Sequence, residues 1–130
     1  MISAQLVKRA TVARKKAYAP YSKFLVGAAL LTKSGKVYTG TNIENASYGL
    51  TVCAERVAVF KAVTDGNAEF KSIAIVTDTE KPKFLCGACL QVLSEFSRDM
   101  EIICSNLKGQ KRRYKLRQLF PKAFKKMSKV

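Results

Sequence analysis

The sequence predicts an α/β fold, a three-layer α/β/α sandwich around one mixed sheet of about five strands. Three observations carry this. Strand-like apolar runs alternate with stretches of helical periodicity along the chain. The run SIAIV (72–76) is nearly all apolar, as expected of a central strand covered on both faces. The 130 residues, 48% hydrophobic, suffice for one core and contain no repeat or linker, so 1–130 reads as a single domain.

The elements follow in order. Leu6, Ala10, Ala13 and Ala17 recur at helical spacing, so residues 3–18 are expected to be helical, with Ser3 as a cap and Pro20 as the stop. FLVGAALLT (24–32) reads as a strand, KSGK as a turn and KVYTGTNI (36–43) as a second strand, making a hairpin. NASYGLT leads into a helix from about Cys53 to Val63, closed by the glycine-bearing TDGN. FKSIAIVTDT (70–79) is the third strand, and EKPKFL the loop after it. Cys86 to Phe96 is expected to be a helix with Cys86, Cys89, Leu90 and Leu93 on one stripe. EIICSN (101–106) is a fourth strand and RRYKL (112–116) a fifth, before LFPKAF and a basic tail.

The formal charge is +15, with 24 basic residues, 9 acidic ones and no histidine. Such a field attracts phosphate-bearing partners. However, the cations are scattered from Lys8 to Lys129, densest over 108–129, with no zinc-finger, RNP-type or Arg-rich pattern around them. A solvated lysine-rich surface accounts for that distribution, and specific nucleic-acid binding is not expected. No apolar run reaches the length of a membrane span. The first apolar residues precede the basic ones, the reverse of a signal peptide, so a cytoplasmic location is expected.

In a reducing compartment, Cys53, Cys86, Cys89 and Cys104 point to metal binding or catalysis rather than disulfides. Cys86 and Cys89 sit three apart at a helix start, where both thiols can reach one ion, and Cys53 opens the other helix. Three thiolates leave one tetrahedral position open, as in a catalytic zinc site. Glu55 stands close enough to act as a general acid/base without being a ligand. Zinc with three thiolates carries about −1 by formal counting, which opposes acidification of water. The two helix N-termini and Arg56 offset that charge, Arg56 by donating to the thiolates. The alternative is a four-cysteine structural zinc site in which Cys104 turns inward. A CxxC pair does not separate the two; the Ala-Glu-Arg after Cys53 favours catalysis.

CAER (53–56) and CGAC (86–89), with AYAPYSKFLVGAAL (17–30), GTNIENASYGL (40–50) and LFPKAF (119–124), resemble the zinc-dependent cytidine deaminases, specifically the small homotetrameric nucleoside class. The resemblance spans nearly the whole chain. It implies one Zn²⁺ per subunit on Cys53, Cys86 and Cys89, and hydrolytic deamination of free cytidine and deoxycytidine by zinc-activated water, in pyrimidine salvage. Glu55 would protonate N3 and then carry a proton to the departing amine. Phe24 would pack on the base, Asn42 and Glu44 would bond ribose hydroxyls, and the backbone around Ala54 would hold the base. Ala46, Tyr48 and Phe124 would be presented across subunit interfaces of a homotetramer.

Plainer roles exist for some of these. Phe24 and Phe124 could be core aromatics, and Asn42 and Glu44 turn residues. The chain also departs from the pattern of the class. Leu85 stands where proline usually precedes the CxxC, and Leu90 where arginine usually follows it, lengthening the apolar stripe. Two other functions remain open on the sequence. One is deamination of a related aminopyrimidine nucleoside, including a nucleoside antibiotic. The other is a basic zinc-stabilised nucleic-acid-binding module, which would be indifferent to Glu55.

Overall fold

The alternation of side chains across the strands sets the architecture. In this computed structural model, which describes residues 1–126, the elements are α1 (Ser3–Arg14), β1 (Val26–Thr32), β2 (Val37–Thr41), α2 (Ala54–Thr64), β3 (Phe70–Thr77), α3 (Gly87–Phe96), β4 (Glu101–Asn106), β5 (Lys111–Lys115) and α4 (Leu116–Leu119). Of the cationic stretch 108–129, residues 127–129 lie outside the described residues. The strands form one sheet in the order β2-β1-β3-β4-β5. Only β3 and β4 pair in parallel, joined through α3, so the sheet is mixed.

Because strand residues alternate sides, Ala29 and Leu31 of β1, Ala74 and Val76 of β3 and Ile103 of β4 pack on Leu6 and Ala10 of α1. Their neighbours Ala28, Leu30, Ile73, Ile75, Ile102 and Cys104 pack on the opposite face, against α2 and α3. Helices on both faces make the expected three layers. The SIAIV strand lies third of five and is buried on both sides, as its sequence requires. Each fully buried Leu or Ile in these layers contributes about 1.5–3 kcal/mol.

The β1–β2 hairpin meets both helical layers at glycines. A Cβ on Gly27 would lie 2.1 Å from the Ala10 carbonyl of α1, and one on Gly40 would lie 2.3 Å from the Ala54 carbonyl of α2. Gly40 therefore sets how closely the first turn of α2 approaches the sheet. Gly40→Ala is expected to destabilise the fold by about 3 kcal/mol or more, since rigid backbone must shift. Urea unfolding measures it; a loss of only a few tenths would show that α2 yields freely there.

Several boundaries differ from the sequence reading. Helix α1 ends at Arg14, four residues short of Tyr18. Tyr18 is drawn away instead: its N–H donates to the Asn42 carbonyl at 3.0 Å, and its carbonyl accepts from the Glu44 N–H at 2.9 Å. Ser3 is the first helical residue rather than the cap; Ile2 caps α1, and its N–H donates to Gln5 Oε1 at 3.1 Å. Strands β1, β2 and β3 each stop short of their expected spans at the ends where the chain turns into loops. A 3-10 turn at Tyr48–Leu50 and the short α4 carry no periodicity long enough to be read from sequence.

Surface charge adds little to this fold. Among the described residues, the ion pairs Lys36–Asp65, Lys108–Glu80, Arg113–Glu101 and Arg117–Asp99 all lie on exposed side chains.

Candidate metal centre and active site

Cys53 and Cys86 are the N-cap residues of α2 and α3, each in extended conformation. Cys86 thus stands one residue outside the buried stripe of α3, which keeps Cys89, Leu90 and Leu93. The two helix starts meet. Cys53 Sγ lies 3.8 Å from Cys86 Sγ, and Cys86 Sγ lies 3.4 Å from Cys89 Sγ. All three sulfurs fall within 4.8 Å of one another. Sulfurs at tetrahedral positions on zinc, about 2.3 Å from it, are separated by about 3.8 Å, so this cluster fits the ion. Thiolates also suit zinc by their softness.

The surroundings favour one ionised sulfur, that of Cys53. The Cys89 N–H donates to Cys86 Sγ at 3.4 Å, and Arg56 Nη2 donates to Cys53 Sγ at 3.6 Å. A hydrogen bond from the Cys89 thiol, then the Arg56 guanidinium, hold the Cys53 thiol well below the ordinary thiol range. Cys89 moves the opposite way, raised by sharing that hydrogen bond and by burial. Arg56 Nε is buried without a hydrogen-bond partner.

Glu55 follows in the first turn of α2 and is only 6% exposed. Burial, reinforced by the Cys53 charge, pushes its carboxyl up to about 7. A group in that range can both accept and release a proton near neutrality. Ala54, fully buried, begins the helix; Cys53 makes no side-chain cap bond, so the first-turn N–H groups face the site uncapped.

Cys104 does not join the cluster. It is buried on β4, 1% exposed, and desolvation with the nearby Glu55 charge pushes its thiol up to about 12. The four-sulfur arrangement is therefore not formed. Cys104→Ala is expected to leave zinc content unchanged and to cost about 1–2 kcal/mol in a small cavity. Metal analysis and urea unfolding test this; loss of zinc would make Cys104 a ligand. Leu85 and Leu90 both lie in the core beside Cys89, so the longer apolar stripe is filled by packing.

The segment Asn42–Glu44 is brought next to the centre by a bridge between Ile43 and Val52, whose N–H groups and carbonyls exchange bonds of 3.0 Å just before Cys53. Asn42 Nδ2 donates to the Phe24 carbonyl at 2.7 Å, while Oδ1 accepts from the Val26 N–H at 2.9 Å. Glu44 accepts from the Tyr21 and Ser22 N–H groups at 3.0 and 3.1 Å and from the Ser22 hydroxyl, which together hold its carboxyl below the usual range. Lys23 takes φ 61°, a strained value outside glycine, immediately before Phe24.

Neither phenylalanine is a core residue: Phe24 is 38% exposed and Phe124 is 80% exposed. Ala46 is exposed, and Tyr48, also exposed, meets Tyr21 edge-on at 6.1 Å. Residues Ala46, Tyr48 and Phe124 thus stand on the surface. The sequence did not single out Ser22, which braces Glu44, or Gln91, whose amide bonds the Phe124 backbone. No local pattern marks either one.

Three soft donors on two helix starts, beside a buried carboxyl that is not one of them, fit a metal-dependent hydrolytic centre rather than a structural zinc clip. The comparisons narrow this class. Residues 2–106 match the family model described as the cytidine and deoxycytidylate deaminase zinc-binding region. The chain is 50% identical over 123 residues to a cytidine deaminase of Sporosarcina psychrophila, covering 94% of this chain and 90% of that one. It is 51% identical over 120 residues to the cytidine deaminase of Halalkalibacterium halodurans, covering 92% and 91%. The crystal structure of a cytidine deaminase from Burkholderia pseudomallei superposes with a TM-score of 0.93 at 48% identity, over 95% of this chain and all of that one. The chain belongs to the cytidine and deoxycytidylate deaminase family. No helix among the described residues is long and apolar enough to cross a membrane.

Proposed function

We propose that the chain converts free cytidine and deoxycytidine to uridine and deoxyuridine, releasing ammonia, as a homotetrameric enzyme of pyrimidine salvage. The observation that carries this is Glu55, a buried carboxyl in the first turn of the helix that Cys53 caps. Cys53, Cys86 and Cys89 would hold zinc, which would supply Lewis acidity to the site.

Glu55 does the proton work. It accepts a proton as water adds at C4 and passes it to N3 of the ring. It then takes the remaining water proton and hands it to the amine, which leaves as ammonia. Arg56 spreads the thiolate charge that would otherwise raise the barrier to losing that first proton. The first-turn N–H groups around Ala54 orient the base, and Phe24 packs on its face.

Asn42 and Glu44 read the sugar. Asn42 has one Nδ2 proton beyond its bond to Phe24. Glu44, kept ionised by the Ser22 hydroxyl, retains lone pairs for a ribose hydroxyl while bracing the Tyr21–Ser22 turn. The turn role and the sugar role coexist in one carboxylate.

An apolar groove of about 660 Å³, lined by Ile43, Leu50, Val52, Val57 and Phe60, supports subunit packing on the outer face of α2. Ala46, Tyr48 and Phe124 complete neighbouring sites in that assembly. Phe60→Glu is expected to break it into smaller species with at least about tenfold lower activity, because a charge cannot be buried unpaired. Light scattering after size exclusion reads the mass; a monomeric wild type would remove this part of the proposal. The unpaired thiols fit a reducing, cytoplasmic location, and one sheet covered on both faces supports a single domain over 1–130. Zinc-loaded protein should yield uridine and ammonia in equal amounts from cytidine; no uridine by chromatography would refute the activity.

A further inference from the structure

We propose that Gln91 is a positioning residue that fixes where the Phe124 ring stands. The inference rests on the reading that Phe124 completes a neighbouring subunit's site.

Gln91 projects from α3 two residues beyond Cys89. Its side-chain amide holds both backbone groups of one residue. The Phe124 N–H donates to Gln91 Oε1 at 3.0 Å, and Gln91 Nε2 donates to the Phe124 carbonyl at 2.9 Å. Two reciprocal bonds fix position and orientation together, as a β-bridge partner would. Nearby, Arg98 Nη2 holds the Pro121 carbonyl at 3.1 Å. Between these two anchors the chain lies outside any strand or helix.

The ring itself is the most exposed large hydrophobic side chain among the described residues, at 80%. A clamp on the backbone of a residue whose ring stays in solvent gains almost no apolar burial within its own chain. It does remove backbone freedom before the ring meets its target, which lowers the ordering cost of that encounter. The platform is rigid as well, since Cys89, Leu90 and Leu93 bury the other face of α3. Gln91 therefore ties the placement of the exported ring to the helix that carries two of the metal ligands. The task needs a donor and an acceptor on one side chain of this length. Ionised glutamate lacks the donor, and methionine lacks the donor and offers only a weakly accepting sulfur.

The test is a double-mutant cycle on the zinc-loaded protein, with cytidine as substrate. Gln91→Met is expected to raise KM about tenfold, with kcat held within about threefold, as when an interaction made equally in ground and transition states is lost. Zinc content and melting temperature should stay at wild-type values. Phe124→Ala should raise KM at least as much, and Gln91→Met should add nothing in that background. Gln91→Glu, which removes only the donor, should shift KM in the same direction and covers the case in which methionine perturbs folding. A rise in KM for Phe124→Ala with none for either Gln91 variant overturns the role of Gln91 alone. Effects that multiply in the double mutant also overturn it, since Gln91 would then act elsewhere. A wild-type KM for Phe124→Ala overturns the reading of Phe124 and takes the inference with it.

Discussion

Glu55→Ala is expected to lower cytidine turnover by about four orders of magnitude while leaving zinc content as in the wild type. The expectation follows from position and burial. Glu55 is not among the clustered sulfurs, so its loss leaves the ligands in place. It is almost wholly buried, and that burial raises its proton affinity to the range where a shuttle works in both directions. Glu55→Gln provides the isosteric control: it keeps the volume and hydrogen-bonding reach of the side chain but cannot exchange a proton. Both variants are to be followed by the ultraviolet loss of cytidine and by metal analysis. Wild-type turnover in either would remove Glu55 from the chemistry and reopen the reading of a zinc-stabilised binding module. Loss of zinc from both would make Glu55 a support for the centre instead.

Cys89→Ser is expected to eliminate both activity and structure-bound zinc. Cys89 is wholly buried where α3 meets the main core, and its N–H braces Cys86. Serine cannot provide a thiolate there, and two remaining sulfurs hold zinc far more weakly. The apparent stability conferred by the metal falls with its affinity, so unfolding is expected to shift by about 3 kcal/mol or more. Melting of the wild type in excess chelator should move toward the temperature of Cys89→Ser. Retained zinc in the variant would place the metal elsewhere. Unchanged melting of the chelated wild type would show that the fold does not draw on the metal.

The site was largely legible because its chemistry is local. CAER places a thiol, a carboxylate and a cation on one turn, and CGAC places two thiols one turn apart. Helix starts are also written locally, and the structure adds that Cys53 and Cys86 are the caps themselves. The end of α1 was not legible in the same way. Residues 15–18 have helical spacing, but Tyr18 is won by bonds to Asn42 and Glu44, more than twenty residues away. Distant partners override propensity wherever the local preference is weak.

Composition and spacing alone determined the layered α/β class, the central position of SIAIV, the three sulfurs and the acid beside them. They did so because the period of apolar residues and the reach of neighbouring side chains are properties of a short stretch of chain. The tertiary structure decided what depends on segments far apart. It put Cys104 in the core rather than on the metal and turned Phe124 outward. It also set the amide of Gln91 against a backbone 33 residues further on. Such contacts are made only when the sheet brings remote residues within hydrogen-bonding distance, and no periodicity in the chain encodes that meeting.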